Sequence, residues 1–495
     1  MGSIKQLAGQ TAVYGLSSVI GRMLNYLLVP FYTRIFTTEQ YGVVTEMYAY
    51  VAFLIIILTY GMETAFFKFS SESEDKKRVY STTLISVFLT STVFIFLTSV
   101  FSVPIAITLG YPNHTEYVIW FAIIVGLDAL SAIPMAKLRE LGKAKWFATV
   151  NLINIFVNIG LNLFFLVYCR NHYLEYGSNT SWLVDTCYDP EIGVGYVFIS
   201  NLIATITRTL FLLPYILKIE FAYSNSLVRR MLIYSLPLLV AGLAGIVNET
   251  IDRIMIKNIL FDRLGEVEAM SQLGIYGACY KISIIITIFI QAFRYASEPF
   301  FFAKQKDGDA KEIYRDIMKY FIIAVSCIFL AIMLYIDYVM LFVGEEFRIG
   351  AAVVPILLMA NLCLGVYFNL SIWYKLTSKT MYGAGIAIFG AIITVTVNYM
   401  WIPIIGYMAS AWATLICYFA MMVISYIIGQ KHYPVNYNLI KGIGYPIAAL
   451  GLFYLSTLIN QSLNDYQFLI NTLILLLFAG GIIMLEKPKQ RNEVV

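Results

Sequence analysis

The chain has 495 residues, of which 60% are hydrophobic and only 13% charged, and its mean hydropathy is +0.75. Those values lie far from the averages of soluble domains and exclude an ordinary water-soluble fold. The formal charge of +4 is small for this length and by itself names no partner; nucleic acid is not expected among them.

A run of about 20 apolar residues crosses the hydrocarbon core of a bilayer. Taken in order, such runs fall at 10–31, 41–60, 81–103, 117–136, 147–168, 193–215, 231–251, 273–293, 315–336, 350–373, 380–402, 407–429, 440–460 and 465–485. The expected fold is therefore all-α and integral to the membrane, with about 14 transmembrane helices. The first run is full length and lacks a small-residue cleavage pattern, so a cleaved signal is not expected.

Lys and Arg fall on alternate connections. One side collects Lys68, Lys76, Lys77 and Arg78, then Lys137, Arg139, Lys143 and Lys145, then Lys218, Arg229 and Arg230, then Arg294, Lys304, Lys306, Lys311 and Arg315. Lys375, Lys379, Lys431, Lys441 and both tails continue it. The other side holds Arg34, Arg170, Arg253, Lys257, Arg263 and Arg348. Positive residues stay cytoplasmic, which places both termini in the cytoplasm and the 169–192 loop outside. Cys169 and Cys187 both lie in that loop and could form a disulfide if the outer side is oxidising. The other four cysteines sit singly in apolar runs, and no metal-ligand spacing, P-loop, dinucleotide fingerprint or nucleophile elbow is present. With loops too short for a soluble domain and every histidine in a loop, no catalytic residue is assigned. A transporter or channel fits better than an enzyme.

The two halves look related in parallel. Tyr41-Gly42 follows a polar turn (Thr37 to Gln40), and Tyr276-Gly277 stands at the corresponding place later in the chain. Leu138-Arg139 with Gly142-Lys143 parallels Tyr374-Lys375 with Ser378-Lys379, and an Asn-rich helix ends near Asn162 in one half and Asn398 in the other. This order predicts an N-lobe at 1–225, a C-lobe at 226–432, and two appended helices with a tail at 433–495. Two six-helix lobes related by a pseudo-two-fold would enclose a central cavity, as parallel repeats do in transporters.

Several stretches carry a family likeness: Gly21-Arg22 through Pro30 and Arg34 to Tyr41-Gly42, Ser235-Leu236-Pro237 through Asp252-Arg253, Gly274-Ile275-Tyr276-Gly277 with Tyr280-Lys281-Ile282, and Phe293 through Glu298-Pro299. On these the chain resembles the polysaccharide (Wzx-type) flippases of the multidrug/oligosaccharidyl-lipid/polysaccharide exporter superfamily. The resemblance implies export of an undecaprenyl-pyrophosphate-linked oligosaccharide across a bacterial cytoplasmic membrane for cell-surface polysaccharide synthesis. It also implies alternating access around a cavity that is often cationic. An initiating glycosyl-phosphate transferase and a polymerase would be working partners alongside membrane lipids. A drug or organic-cation efflux antiporter, or a flippase for a peptidoglycan lipid precursor, are the alternatives within the superfamily.

Charges deep in membrane helices are costly and usually face protein or water. Arg22 shares one face of the first helix with Thr11, Gly15, Ser18 and Asn25, and its planar guanidinium suits phosphate oxygens. Arg22, Asn25, Lys281, Asn248 and Arg253 are the candidates for substrate contact. Glu46, Glu63, Glu249, Asp128, Arg294 and Glu298 are the candidates for gating or ion coupling. Glu46 and Lys281 lie five residues beyond their Tyr-Gly pairs, so the repeat would set them against each other. Glu249 and Arg253 are one turn apart and could pair with each other. Asp128 can be read as the partner of Arg208 or as a proton or sodium site. No cofactor is expected beyond such coupling to an ion gradient.

Overall fold

The computed structural model describes residues 19–486 apart from 22, 178–180, 221, 305–307, 378 and 463. Among them are 13 helices long and apolar enough to cross a membrane. Their helical cores are α1 (Thr38–Thr59), α2 (Lys76–Val100), α3 (Thr115–Glu140), α4 (Ala144–Leu163), α5 (Gly195–Leu217), α6 (Asn225–Leu264), α7 (Glu266–Lys304), α8 (Ala310–Leu334), α9 (Val353–Leu370), α10 (Thr380–Ile405), α11 (Met408–His432), α12 (Leu439–Ser462) and α13 (Gln467–Glu486). They coincide with the second to fourteenth predicted spans. The first span is described only from residue 19, where helical residues lead into the short helix Val29–Ile35.

Helix starts follow capping chemistry. The polar turn before α1 is a capping box: Thr37 Oγ1 accepts from the Gln40 amide at 3.3 Å, and the Gln40 side chain accepts from the Thr37 amide at 3.2 Å. Asp75 caps α2 through the Arg78 amide at 3.0 Å. After α1 the chain turns at Tyr60 and Gly61, both left-handed. A Cβ on Gly61 would sit 3.1 Å from Ser235, so glycine answers both the dihedral and the close approach.

The described residues form two compact units. The first takes in residues up to Ala278 together with Ala387–Ser410, and the second takes in Cys279–Ile386 and the chain from Ala411 onward. In the first unit, Phe66, Val79, Leu84, Val125, Ile133 and Met231 form a fully buried apolar cluster around α2 and α3. Lipid tails are as apolar as Leu, so helix association in a membrane depends on close packing and hydrogen bonds. Here Ser81 and Thr82 of α2 donate to the carbonyls of Glu220 (2.6 Å) and Ala222 (3.1 Å), and Tyr80 donates to that of Tyr215 (2.8 Å), tying down the end of α5 and the segment after it.

Small residues bring α1 against the start of α7, so residues 226–278 share the first unit. A Cβ on Gly42 would lie 2.2 Å from the Met270 carbonyl oxygen, and one on Gly274 would lie 1.8 Å from that of Thr38. The two backbones meet where no side chain fits, and Thr38 and Ser271 share a hydroxyl hydrogen bond of 2.8 Å beside them. Gly42 and Gly277, the glycines of the repeated Tyr-Gly pair, both belong to this contact, Gly277 against Thr45.

In the second unit α12 and α13 pack on α8. Asn471 is the polar joint: it donates to the Leu334 carbonyl (2.5 Å) and accepts from Ser456 (2.6 Å). Asn361 of α9 donates to the Ser283 carbonyl of α7 at 3.0 Å.

Candidate functional site

α6 departs from the sequence reading in one consequential way. It is a continuous helix of 40 residues, about 60 Å at ~1.5 Å per residue, twice the ~30 Å hydrocarbon core. Arg253, expected at the helix end, is well inside it, and Lys257 and Arg263, expected in the loop that follows, are helical too. Lys257 is carried back into the protein, where its side chain is 5% exposed against a Glu46 that is fully buried.

The Lys257 ammonium has three protons and three strong acceptors. Nζ lies 2.9 Å from Glu46 Oε1, 2.8 Å from Oε2 and 2.5 Å from the Leu109 carbonyl. It also stands 4.4 Å from the centre of the Tyr111 ring. Glu46 accepts further from Tyr50 at 3.1 Å and from the Tyr111 hydroxyl. Burial, with the Glu46 carboxylate beside it, holds the Tyr111 phenol well above its ordinary range. A buried charge pair repays its desolvation only when its remaining donors and acceptors are met, and here every Lys257 proton is used. The pair ties α1, α6 and the loop before α3 together.

One turn earlier on α6 is a second buried network. Asp252 accepts from the Arg253 amide (2.8 Å), the Arg253 guanidinium (3.1 Å) and the Tyr276 hydroxyl. Arg253 also donates to the Glu249 carbonyl at 2.5 Å. The expected i,i+4 partner contributes its backbone, and Asp252 supplies the carboxylate. Asn248 donates to the Ala387 carbonyl of α10 at 3.0 Å.

The remaining candidates divide cleanly. Asp128 and Arg208 do pair, across α3 and α5. The expected partner of Glu46 was Lys281; Lys257 stands there, and Lys281 belongs to the second unit. Glu63 was grouped with Arg294 and Glu298 but is engaged by Arg139 of its own unit. Arg294 lies over the Phe368 ring at 4.2 Å. Asn25 accepts from Asn158 at 3.4 Å. Cys169 and Cys187 stand as free thiols, one buried at the end of the π-helical segment Phe164–Cys169 that continues α4 and one exposed, so the disulfide is not formed here. Arg22 and the Glu298 side chain lie outside the described residues.

The second unit carries a cavity of about 680 Å³ between α8, α9, α11 and α12. Its walls are apolar along most of their length, with Ile322, Val366, Phe419 and Val423 among them, and Arg315 and Lys319 stand at one end. From Leu439 to Leu450, both on its wall, α12 alone covers about 17 Å at ~1.5 Å per residue. The feature is an elongated groove whose lining is lipid-like in chemistry.

One protein-family model, described as polysaccharide biosynthesis protein, matches residues 7–305. The chain belongs to that family. Its fold is shared with solved structures of transporters. A structure titled Lipid II flippase MurJ, inward closed conformation, is similar with a TM-score of 0.68 at 13% identity, covering 95% of this chain and 98% of that one. An inward-facing multidrug resistance MATE family transporter of the MOP superfamily gives 0.59 at 14%, covering 82% and 93%. A MATE protein in complex with MaD3S gives 0.60 at 13%, covering 86% and 95%. At these identities the likeness is one of fold. Comparison with curated proteins gives no sequence match.

In this polysaccharide-biosynthesis family member, sequence reasoning missed Lys257 because hydropathy marks where lipid contact stops, which is earlier than where the helix stops. A signal did exist: Asp252, Arg253, Ile256 and Lys257 keep a helical spacing beyond the apolar run. Glu486, read as the start of a tail, was also missed. It closes α13 and accepts from Lys441 (2.6 Å), Tyr445 (2.6 Å) and Lys319 (2.9 Å).

Proposed function

We propose that this protein flips a polyprenyl-pyrophosphate-linked oligosaccharide from the inner to the outer leaflet of a bacterial cytoplasmic membrane, with both termini in the cytoplasm. The groove of the second unit carries this reading. An apolar channel of that length suits a long hydrocarbon chain, whereas a small organic cation needs only a compact pocket with a carboxylate. The family description favours a polysaccharide precursor. The MurJ-like fold keeps a peptidoglycan lipid precursor as the second reading.

In this reading the cycle alternates access, and the contact of α1 with α6 and α7 is the gate that must part. Glu46–Lys257 and the Gly42–Gly274 packing hold it shut. Asp128–Arg208 is the place where a proton or sodium gradient would act, since a proton or a sodium ion could take the place of Arg208 as the partner of that carboxylate. An initiating glycosyl-phosphate transferase would supply the substrate and a polymerase would consume it.

The test is a proteoliposome assay that follows a fluorescent polyprenyl-pyrophosphate oligosaccharide between leaflets. Wild type should transfer it. Arg22→Ala should lose transfer at unchanged protein level, and Arg22→Lys should recover only part, because an ammonium lacks the bidentate fork. Transport of a lipophilic cation under an ion gradient, with no glycolipid transfer, would replace this reading with drug efflux.

A further inference from the structure

The groove does not end in apolar surroundings at the start of α12. Arg315, Lys319, Tyr437, Asn438 and Leu439 line it and also line a second cavity of about 560 Å³, which Asp316, Asn436 and Lys441 help to enclose. An apolar channel and a polar chamber thus share one wall, the shape of a site for a molecule with a hydrocarbon chain and a charged head.

We propose that the polar chamber holds the phosphate of a polyisoprenoid phosphate or pyrophosphate whose chain lies in the groove. This rests on the flippase reading above, and it adds residues that reading does not use.

The charges favour an anion. The chamber wall carries three cations, Arg315, Lys319 and Lys441, and one carboxylate, Asp316; Glu486 pairs with the two lysines, and Glu312 lies near Arg315 on α8. Glu486 is 10% exposed and braces Lys441 (2.6 Å) and Lys319 (2.9 Å) side by side. Arg315 Nε contacts Asp316 at 3.2 Å. An ammonium has three donors and a guanidinium five, so these contacts leave donor capacity on all three cations. Their side chains are 35%, 19% and 36% exposed for Arg315, Lys319 and Lys441. They are open enough to admit a ligand and fixed enough to meet it in one geometry. This differs from Lys257, whose protons are all committed inside the protein.

The occupant is a single-chain lipid phosphate. Free pyrophosphate would gain the cations without the groove, and a diacyl phospholipid brings two chains to one channel. A charge-assisted hydrogen bond contributes about 1.5–3 kcal/mol, roughly tenfold or more in affinity.

The experiment measures binding of polyprenyl phosphate, polyprenol, inorganic pyrophosphate and phosphatidylglycerol to the full-length protein in detergent. Wild type should bind polyprenyl phosphate at least about tenfold tighter than polyprenol. The variant Arg315→Gln/Lys319→Gln/Lys441→Gln/Glu486→Gln removes the brace together with the cations, so no buried carboxylate is stranded. It should abolish that difference and leave polyprenol binding unchanged. If the quadruple variant fails to fold, Arg315→Gln alone, at the exposed start of α8, should still narrow the difference severalfold. Val366→Trp, which fills the groove, should weaken both prenyl ligands.

Equal binding of phosphate and alcohol in wild type would overturn the phosphate site while leaving the groove reading intact. Prenyl binding untouched by Val366→Trp would overturn the groove reading itself. Phosphatidylglycerol or pyrophosphate binding as tightly as polyprenyl phosphate, with the same dependence on the four residues, would overturn the assignment to a polyisoprenoid phosphate.

Discussion

Two clusters of Lys and Glu in this molecule have nearly the same chemistry and opposite surroundings. In the first unit Lys257 and Glu46 are both at most 5% exposed, and the lysine spends every proton on the protein. In the second unit Glu486 gathers two lysines that remain 19% and 36% exposed beside an open chamber. The first arrangement can only hold or release protein. The second can exchange partners with a ligand without unfolding anything. Burial and spent donors, more than charge, separate a gate from a binding site.

The largest effect should come from breaking the closed cluster on one side. Lys257→Met leaves the Glu46 carboxylate buried without its cation, at a cost of about 3–5 kcal/mol. Thermal stability in detergent and protein level should both fall sharply. Glu46→Gln/Lys257→Met removes both charges, and should recover most of the stability but not glycolipid transfer, because the α1–α6 closure then lacks its charge pair. Equal stability loss in the single and double variants would show that the pair acts by packing alone.

A smaller change in stability with a large change in activity should follow from locking the same contact. Thr38 and Ser271 meet at 2.8 Å across α1 and α7. In Thr38→Cys/Ser271→Cys, carrying Cys187→Ser to remove the exposed thiol, oxidation should arrest transfer and reductant should restore it. Thermal stability should rise slightly on oxidation. Full transfer by the crosslinked protein would remove this contact from the gate.

What the sequence made legible follows the same division. Helix positions were readable because lipid imposes a minimum apolar length, and α1 to α13 fall where apolar runs predicted them. Asp128–Arg208 was readable because two deep charges on neighbouring helices of one lobe have few other partners. The partner of Glu46 was not, since the choice between Lys281 and Lys257 turns on how far α6 continues beyond its apolar run and on its rotation about its own axis. Neither is written in hydropathy. Glu486 was invisible for the related reason that a lone acid at the end of an apolar run reads as a tail until α8 and α12 are seen beside it. The Tyr-Gly repeat was visible, but its physical role, the backbone contact at Gly42, Gly274 and Gly277, needed the structure.

The smallest effect tests the comparison at its exposed limit. Lys77 and Glu220 form an ion pair at 2.5 Å whose side chains are 74% and 66% exposed. The ammonium and the carboxylate attract each other. In water, however, that attraction is screened and offset by the entropy of holding two long side chains in place. Ser81 and Tyr80 already fix the same segment through backbone carbonyls. Lys77→Ala should therefore leave thermal stability and transfer at wild-type levels, in low salt and in high. If it instead lowered stability as Lys257→Met does, exposure would not be what distinguishes these clusters. The assignment of one to gating and the other to ligand would then lose its physical basis.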